Sequence, residues 1–125
     1  MRRVMVTGSR DWQDKDVVFG ALDREWDKDY DLVIVHGACP TGADAMADEW
    51  ATINGRPVER YPADWATHGR AAGPKRNQAM IDTKPDALLA FSRDHSRGTE
   101  GTLKMAYQVP MLIRVYREES VSTDA

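Results

Sequence analysis

Apolar positions along the chain fall into five short runs, each ending in small, polar residues, and the first four are followed by a helical stretch. Val4-Met5-Val6 is the first. Residues 14–28 then carry Val18, Leu22 and Trp26 at four-residue spacing, which predicts a helix with one apolar face. Leu32-Val33-Ile34-Val35 is uninterrupted, as a central strand covered on both faces requires. Thr41 followed three residues later by Asp44 has the pattern of a capping box, and Ala43, Met46, Ala47, Trp50 and Ile53 form one stripe that stops at Asn54-Gly55. Pro57–Tyr61 is a weaker, charged strand expected near an edge. A long loop, Pro62–Gly73, leads to Pro74 in the first turn of a helix that runs to about Thr83. Ala87–Phe91 predicts a buried strand, Ser92–Gly98 a loop, Thr99–Gln108 a short helix, and Met111–Val115 the last strand. The residues from Glu118 to Ala125 are polar and expected to fray.

Strand alternating with helix implies right-handed crossovers and a mostly parallel sheet. The expected fold is α/β: a Rossmann-like three-layer α/β/α sandwich with a five-stranded mostly parallel sheet, one domain over residues 4–117 and a polar tail over 118–125. The usual order 3-2-1-4-5 would set the loops at 7–11 and 92–98 facing each other across a crevice. Ligands of open α/β sheets bind at such carboxyl-end crevices, where helix N-termini favour anions.

Composition narrows the class. The chain has 125 residues, 42% hydrophobic and 30% charged, within the range of a soluble globular domain. No stretch approaches the roughly 18 apolar residues of a membrane span, and Met1-Arg2-Arg3 leads into a strand rather than a signal peptide. Cys39 is the only cysteine, which excludes a disulfide framework and suits a reducing cytoplasm. A net charge of −3 opposes a non-specific nucleic-acid binder. The charge is uneven: Asp14, Asp16, Asp23, Glu25, Asp27 and Asp29 crowd the first helix, whereas Arg70, Lys75 and Arg76 stand without an acid between His68 and Asn77.

The loops carry the candidate chemistry. Thr7-Gly8-Ser9-Arg10 lacks the spacing of a dinucleotide fingerprint, and Gly37–Gly42 does not end in the Gly-Lys-Ser/Thr of a Walker loop. The hydroxyls of Thr7 and Ser9 beside Arg10 suit a phosphate or ribose, although a tight turn also explains Gly8. Gly42-Ala43-Asp44 would let a ligand approach the backbone closely, or Asp44 would only cap the helix. Lys75 and Arg76 fall in the first turn of the predicted helix, where the dipole disfavours cations by up to about 1 kcal/mol. An anion joining them would relieve that conflict, as would solvent. His36 and Cys39 straddle the second loop, but no third ligand accompanies them, so no metal and no cofactor is expected. Trp65 could stack on a base, and His68 and His95 could reach a ligand from their loops.

Taken together, His36-Gly37-Ala38-Cys39-Pro40-Thr41-Gly42-Ala43-Asp44, Gly73-Pro74-Lys75-Arg76-Asn77 and Ser92-Arg93 with Ser96-Arg97-Gly98-Thr99 resemble the SLOG superfamily, in its YspA-like branch. Val6-Thr7-Gly8-Ser9-Arg10-Asp11 fits the same branch, and the likeness runs from Val4 to about Val115. It implies a Rossmann-like fold that binds a nucleotide or nucleotide-derived small molecule, and it allows a homo-oligomer because relatives associate through helices. Relatives include LOG-type cytokinin-activating phosphoribohydrolases and the DNA-processing protein DprA. In LOG enzymes an Arg-Lys pair precedes a helix, and a Gly-Gly-x-Gly-Thr-x-x-Glu loop follows the next strand. Arg76 matches the Arg, with Asn77 in place of Lys. Gly98-Thr99 match Gly-Thr, but Thr102 stands where the Glu is expected, and Glu100 comes two residues early.

The resemblance therefore implies a binding site more than a catalytic one. Gly8, Ser9 and Arg10 would hold one end of the ligand, and Gly37, Gly42 and Asp44 the ribose or phosphate. Lys75, Arg76, Gly98 and Thr99 would neutralise phosphate, and Thr7, His36, Asn77 and Ser92 complete the expected set. The expected role is to sense or sequester the ligand in the cytoplasm, with no catalytic residue assigned. The alternatives are a nucleotide-processing hydrolase, in which Asp11, Asp44 or Glu100 replaces the missing glutamate, and DprA-like DNA binding, which the acidic balance opposes.

Overall fold

A computed structural model describes residues 1–120. The elements run β1 (Arg2–Gly8), α1 (Lys15–Lys28), β2 (Leu32–His36), α2 (Gly42–Ile53), β3 (Val58–Arg60), α3 (Trp65–His68), a 3-10 turn (Gly69–Ala71), α4 (Ala72–Asp82), β4 (Ala87–Arg93), α5 (Arg97–Ala106) and β5 (Leu112–Glu118). The five strands form one sheet in the order β3-β2-β1-β4-β5, and every neighbouring pair is parallel. This is the Rossmann-like α/β fold, with its switch point between β1 and β4.

Alternation along the strands divides the core into two layers. Val4, Val6, Leu32, Ile34, Ala87, Leu89 and Phe91 face α1 and α2, where Val18, Leu22, Ala43, Ala47 and Trp50 close the cluster. Met5, Val35, Leu88 and Ala90 face the other way, against Met80 and Ile81 of α4 and Leu103 and Ala106 of α5. Trp12, which the loop sequence did not mark as core, is 2% exposed and packs edge-on against Phe91 at 5.4 Å.

Several local expectations are corrected. Ile53 is 66% exposed, because the buried stripe of α2 runs through Ala43, Ala47, Trp50 and Ala51 and leaves residue 53 on its flank. The Thr41–Asp44 capping box does not form: Thr41 is the N-cap but makes no side-chain cap bond. The long loop after β3 is largely helical, and α4 begins at Ala72. Arg76 thus lies in its second turn, so the dipole argument for that residue lapses. α5 starts and stops two residues earlier than the sequence implied. Glu118 does not fray; it ends β5, accepts the Gln13 N–H at 2.7 Å and pairs with Arg93 at 2.8 Å. Ser120 donates its N–H to Asp94, and residues 121–125 of the expected tail lie outside the described residues.

Candidate functional site

The ends of β1 and β4 are stitched together by hydroxyls. The Ser9 N–H donates to the Phe91 carbonyl at 2.9 Å, and the Arg93 N–H donates to Ser9 Oγ at 2.8 Å. Ser9 Oγ donates to Ser96 Oγ at 2.7 Å, which donates in turn to Thr99 Oγ1 at 2.7 Å. Ser9 and Thr99 are buried. The loop after β1 also packs on the start of α2. A Cβ on Gly42, at φ +72°, would run into the Ser9 carbonyl, and one on Gly8 would meet Ala43.

The end of β2 is organised around three side chains. The Ala38 N–H donates to His36 Nδ1 at 2.9 Å, so the ring proton sits on Nε2 and is directed at Asp48, 2.7 Å away. Arg60, and after it His36, hold the Asp48 carboxyl below the usual carboxylate range. Asp44 Oδ2 accepts the Gly37 N–H at 3.2 Å and the Cys39 N–H at 3.3 Å, tying down the loop that leads into its own helix. Its other oxygen, Oδ1, is buried without a hydrogen-bond partner. Burial raises the Asp44 pKa, against the opposing pull of His36, of those N–H groups and of Arg76. Arg76 reaches across from α4 and donates through Nη1 to the Gly37 carbonyl and through Nε to Asn77 Oδ1. Asn77 Nδ2 donates to Thr102 Oγ1 at 2.8 Å, and that hydroxyl donates to the Gly98 carbonyl at 3.0 Å. Thr102 is therefore a buried brace between α4 and α5.

Between these loops and the α3–α4 segment lies a cleft of about 910 Å³, bounded by the end of β1, Asp44, the first turns of α4 and one face of α5. Arg10, Arg70, Arg76, Arg97 and Lys104 line it. Arg10, Arg70, Arg97 and Lys104 make no ion pair among the described residues. The lining acids are fewer. Glu100 is held by Arg117 at 2.8 Å, and Asp11 is largely exposed, 3.9 Å from Arg93. Ser96, the N-cap of α5, makes no side-chain cap bond, so the first-turn N–H groups of the helix add positive potential to the same wall. Trp65 is 49% exposed on the rim, with the Arg10 guanidinium 5.3 Å from its ring centroid.

The model of the YspA, cpYpsA-related SLOG family matches residues 2–68. The chain belongs to this family. The Gene 61 protein of Mycobacterium phage D29 is 42% identical in an alignment of 113 residues that covers 85% of this chain and 89% of the phage protein. No solved structure matches the chain significantly. SLOG membership is consistent with a nucleotide-related ligand-binding role.

In this SLOG chain the cleft gathers Thr7, Gly8, Ser9, Arg10, Asp44, Arg76, Asn77, Gly98 and Thr99 from the set expected by sequence. His36, Gly37, Gly42, Lys75 and Ser92 are not among its lining residues. His36, Gly37 and Gly42 shape the loops behind the wall, Lys75 is exposed on α4 outside the cleft, and Ser92 is buried in β4. Arg97 and Lys104 line the cleft although the sequence reading did not place them in the candidate site. Their seven-residue spacing on one helix, with Gly101 between, was the available signal. Among the described residues no group of three His, Cys, Asp or Glu could hold a metal, and no helix is long and apolar enough to cross a membrane.

Proposed function

We propose that the cleft binds a nucleotide or nucleotide-derived ligand, which the protein senses or sequesters in the cytoplasm. The observation that carries this reading is the N-terminus of α5, without a side-chain cap from Ser96, in a cleft whose cations Arg10, Arg70, Arg97 and Lys104 make no ion pair among the described residues. Such a wall is short of negative charge, and a phosphate supplies it. Trp65 offers a face for a base at the rim. Thermal unfolding of the whole protein with millimolar nucleoside mono- and diphosphates tests the reading, because a ligand selective for the native state adds RT ln(1 + [L]/Kd) to stability. No shift with any of them would overturn it.

A hydrolytic reading has one specific support, the buried Asp44 carboxyl with its raised pKa, the kind of group that can act as a general acid. Glu100 is engaged by Arg117 and His95, and Thr102 braces two helices. The carboxylate expected of the LOG enzymes therefore has no direct replacement. Incubation with the same nucleotides separates the two readings, since free base or phosphate released with turnover would replace the sensor by an enzyme.

A further inference from the structure

Asp44 holds an acceptor that nothing among the described residues answers. It is 6% exposed and lines the cleft, and its Oδ1 has no hydrogen-bond partner, whereas Oδ2 takes the N–H groups of Gly37 and Cys39. Arg76, whose charge acts on Asp44, is committed elsewhere, because it donates to the carbonyls of Gly37 and Tyr61 and to Asn77. Buried polar atoms left without a partner are rare and destabilising, and such an atom in a cleft wall fits one that a ligand completes.

The partner must be a donor. Phosphate oxygens at neutral pH are acceptors and carry the same sign as a carboxylate, so they suit the cationic wall and not Asp44. Asp44 follows β2 and the α5 N-terminus follows β4, on opposite sides of β1. An anion seated at α5 thus leaves the Asp44 wall to an uncharged part of the same ligand. Building on the nucleotide reading, we propose that Asp44 Oδ1 accepts a hydrogen bond from a sugar hydroxyl, so that the cleft selects ribosyl ligands over those without the 2′- and 3′-hydroxyls. Either protonation state of the carboxyl keeps an acceptor lone pair for this bond.

Calorimetric titration of the full chain with purine and pyrimidine ribonucleoside 5′-phosphates, their 2′,3′-dideoxy counterparts and pyrophosphate tests the assignment. The wild type should prefer the ribo forms by about tenfold or more, the range for a hydrogen bond to a charged group. In Asp44→Asn, the amide oxygen keeps the Gly37 and Cys39 N–H groups and turns an NH2 toward the hydroxyl. The hydroxyl can still accept from that neutral NH2, so this variant should show a smaller preference than the wild type and retain the pyrophosphate affinity. Equal wild-type affinity for ribo and dideoxy forms would overturn the hydroxyl assignment and leave the nucleotide reading intact, as would a preference undiminished in Asp44→Asn. Binding of pyrophosphate alone, or of none of the probes, would overturn both.

Discussion

Gly37 and Arg76 are fitted to each other. The guanidinium lies so close to the glycine that a Cβ there would stand 2.5 Å from Nη1 and 2.7 Å from Cζ, while the same Nη1 donates to the Gly37 carbonyl. The contact joins α4 to the end of β2 and sets the wall on which Asp44 lies.

Gly37→Ala should therefore weaken the fold by displacing Arg76. The obstructed atoms are the far end of a flexible side chain, so the cost is that of the lost hydrogen bond and its desolvated carbonyl, about 1 to 3 kcal/mol. Urea unfolding measures it. In an Arg76→Ala background the added methyl should cost much less, because the clash is gone. An undiminished cost there would show that Arg76 is not what restricts residue 37.

Gly42→Ala should be more damaging than Gly55→Ala, although both positions have positive φ, +72° and +64°. Around Gly55 there is open space, so only the left-handed backbone is penalised, by about 1 kcal/mol. At Gly42 the added carbon meets the Ser9 carbonyl and lies 2.7 Å from the Arg10 carbonyl carbon. Backbone cannot swing aside as a side chain can. The expected loss is at least about 2 kcal/mol more than at residue 55, with the β1–α2 contact opened. Equal midpoints for the two variants in denaturant would refute this.

These two glycines illustrate how much of the site was legible. The apolar runs at 32–35 and 87–91 announced central strands, and the order of turn-forming loops between them located the sheet edge where the cleft opens. The reason for each loop residue was not legible. Gly37 and Gly42 read equally well as room for a ligand, and only the fold brings Arg76 and Ser9 into the space a Cβ would need. Asp44 followed Thr41 at capping-box spacing, yet its carboxylate turns back to Gly37 and Cys39, a choice made by loop conformation and not by spacing. Thr102 read as a missing glutamate, and becomes intelligible only through Asn77 and Gly98 at either side of its hydroxyl.

The two carboxyls at the end of β2 should give opposite pH signatures. Asp48 is held below its ordinary 3.8 chiefly by Arg60, so its contribution is fully present above that value and is lost as pH falls through the lower folded pKa. The stability difference between wild type and Asp48→Asn should shrink on acidification below about pH 4. Asp44 is raised from 3.8 by burial, so the native state holds its proton longer and stability falls as pH rises from 3.8 toward the raised folded value. Asp44→Asn should gain on the wild type over that rise. Denaturant midpoints collected from pH 3 to 8 would refute the assignment if the two differences changed in the same direction.

Trp65 and Arg10 should report ligand entry directly. Trp12 and Trp50 are buried and Trp26 is partly so, which leaves Trp65 as the indole open to the cleft, with Arg10 above it. A base that stacks on this ring takes the place of the guanidinium, and base–aromatic stacking contributes about 1 to 3 kcal/mol. Nucleoside 5′-phosphates should therefore quench the tryptophan emission of the wild type. Trp65→Phe should abolish most of that quench yet keep much of the affinity, because the phenyl face still stacks, and Trp65→Ala should lose affinity by the stacking amount. Arg10→Ala should retain the quench and bind more weakly, with a shallower salt dependence, because it removes a cation and not the ring. A Trp65→Phe protein that titrates with the wild-type quench would place the base elsewhere and leave Trp65 as a cover over Gly73 at the start of α4.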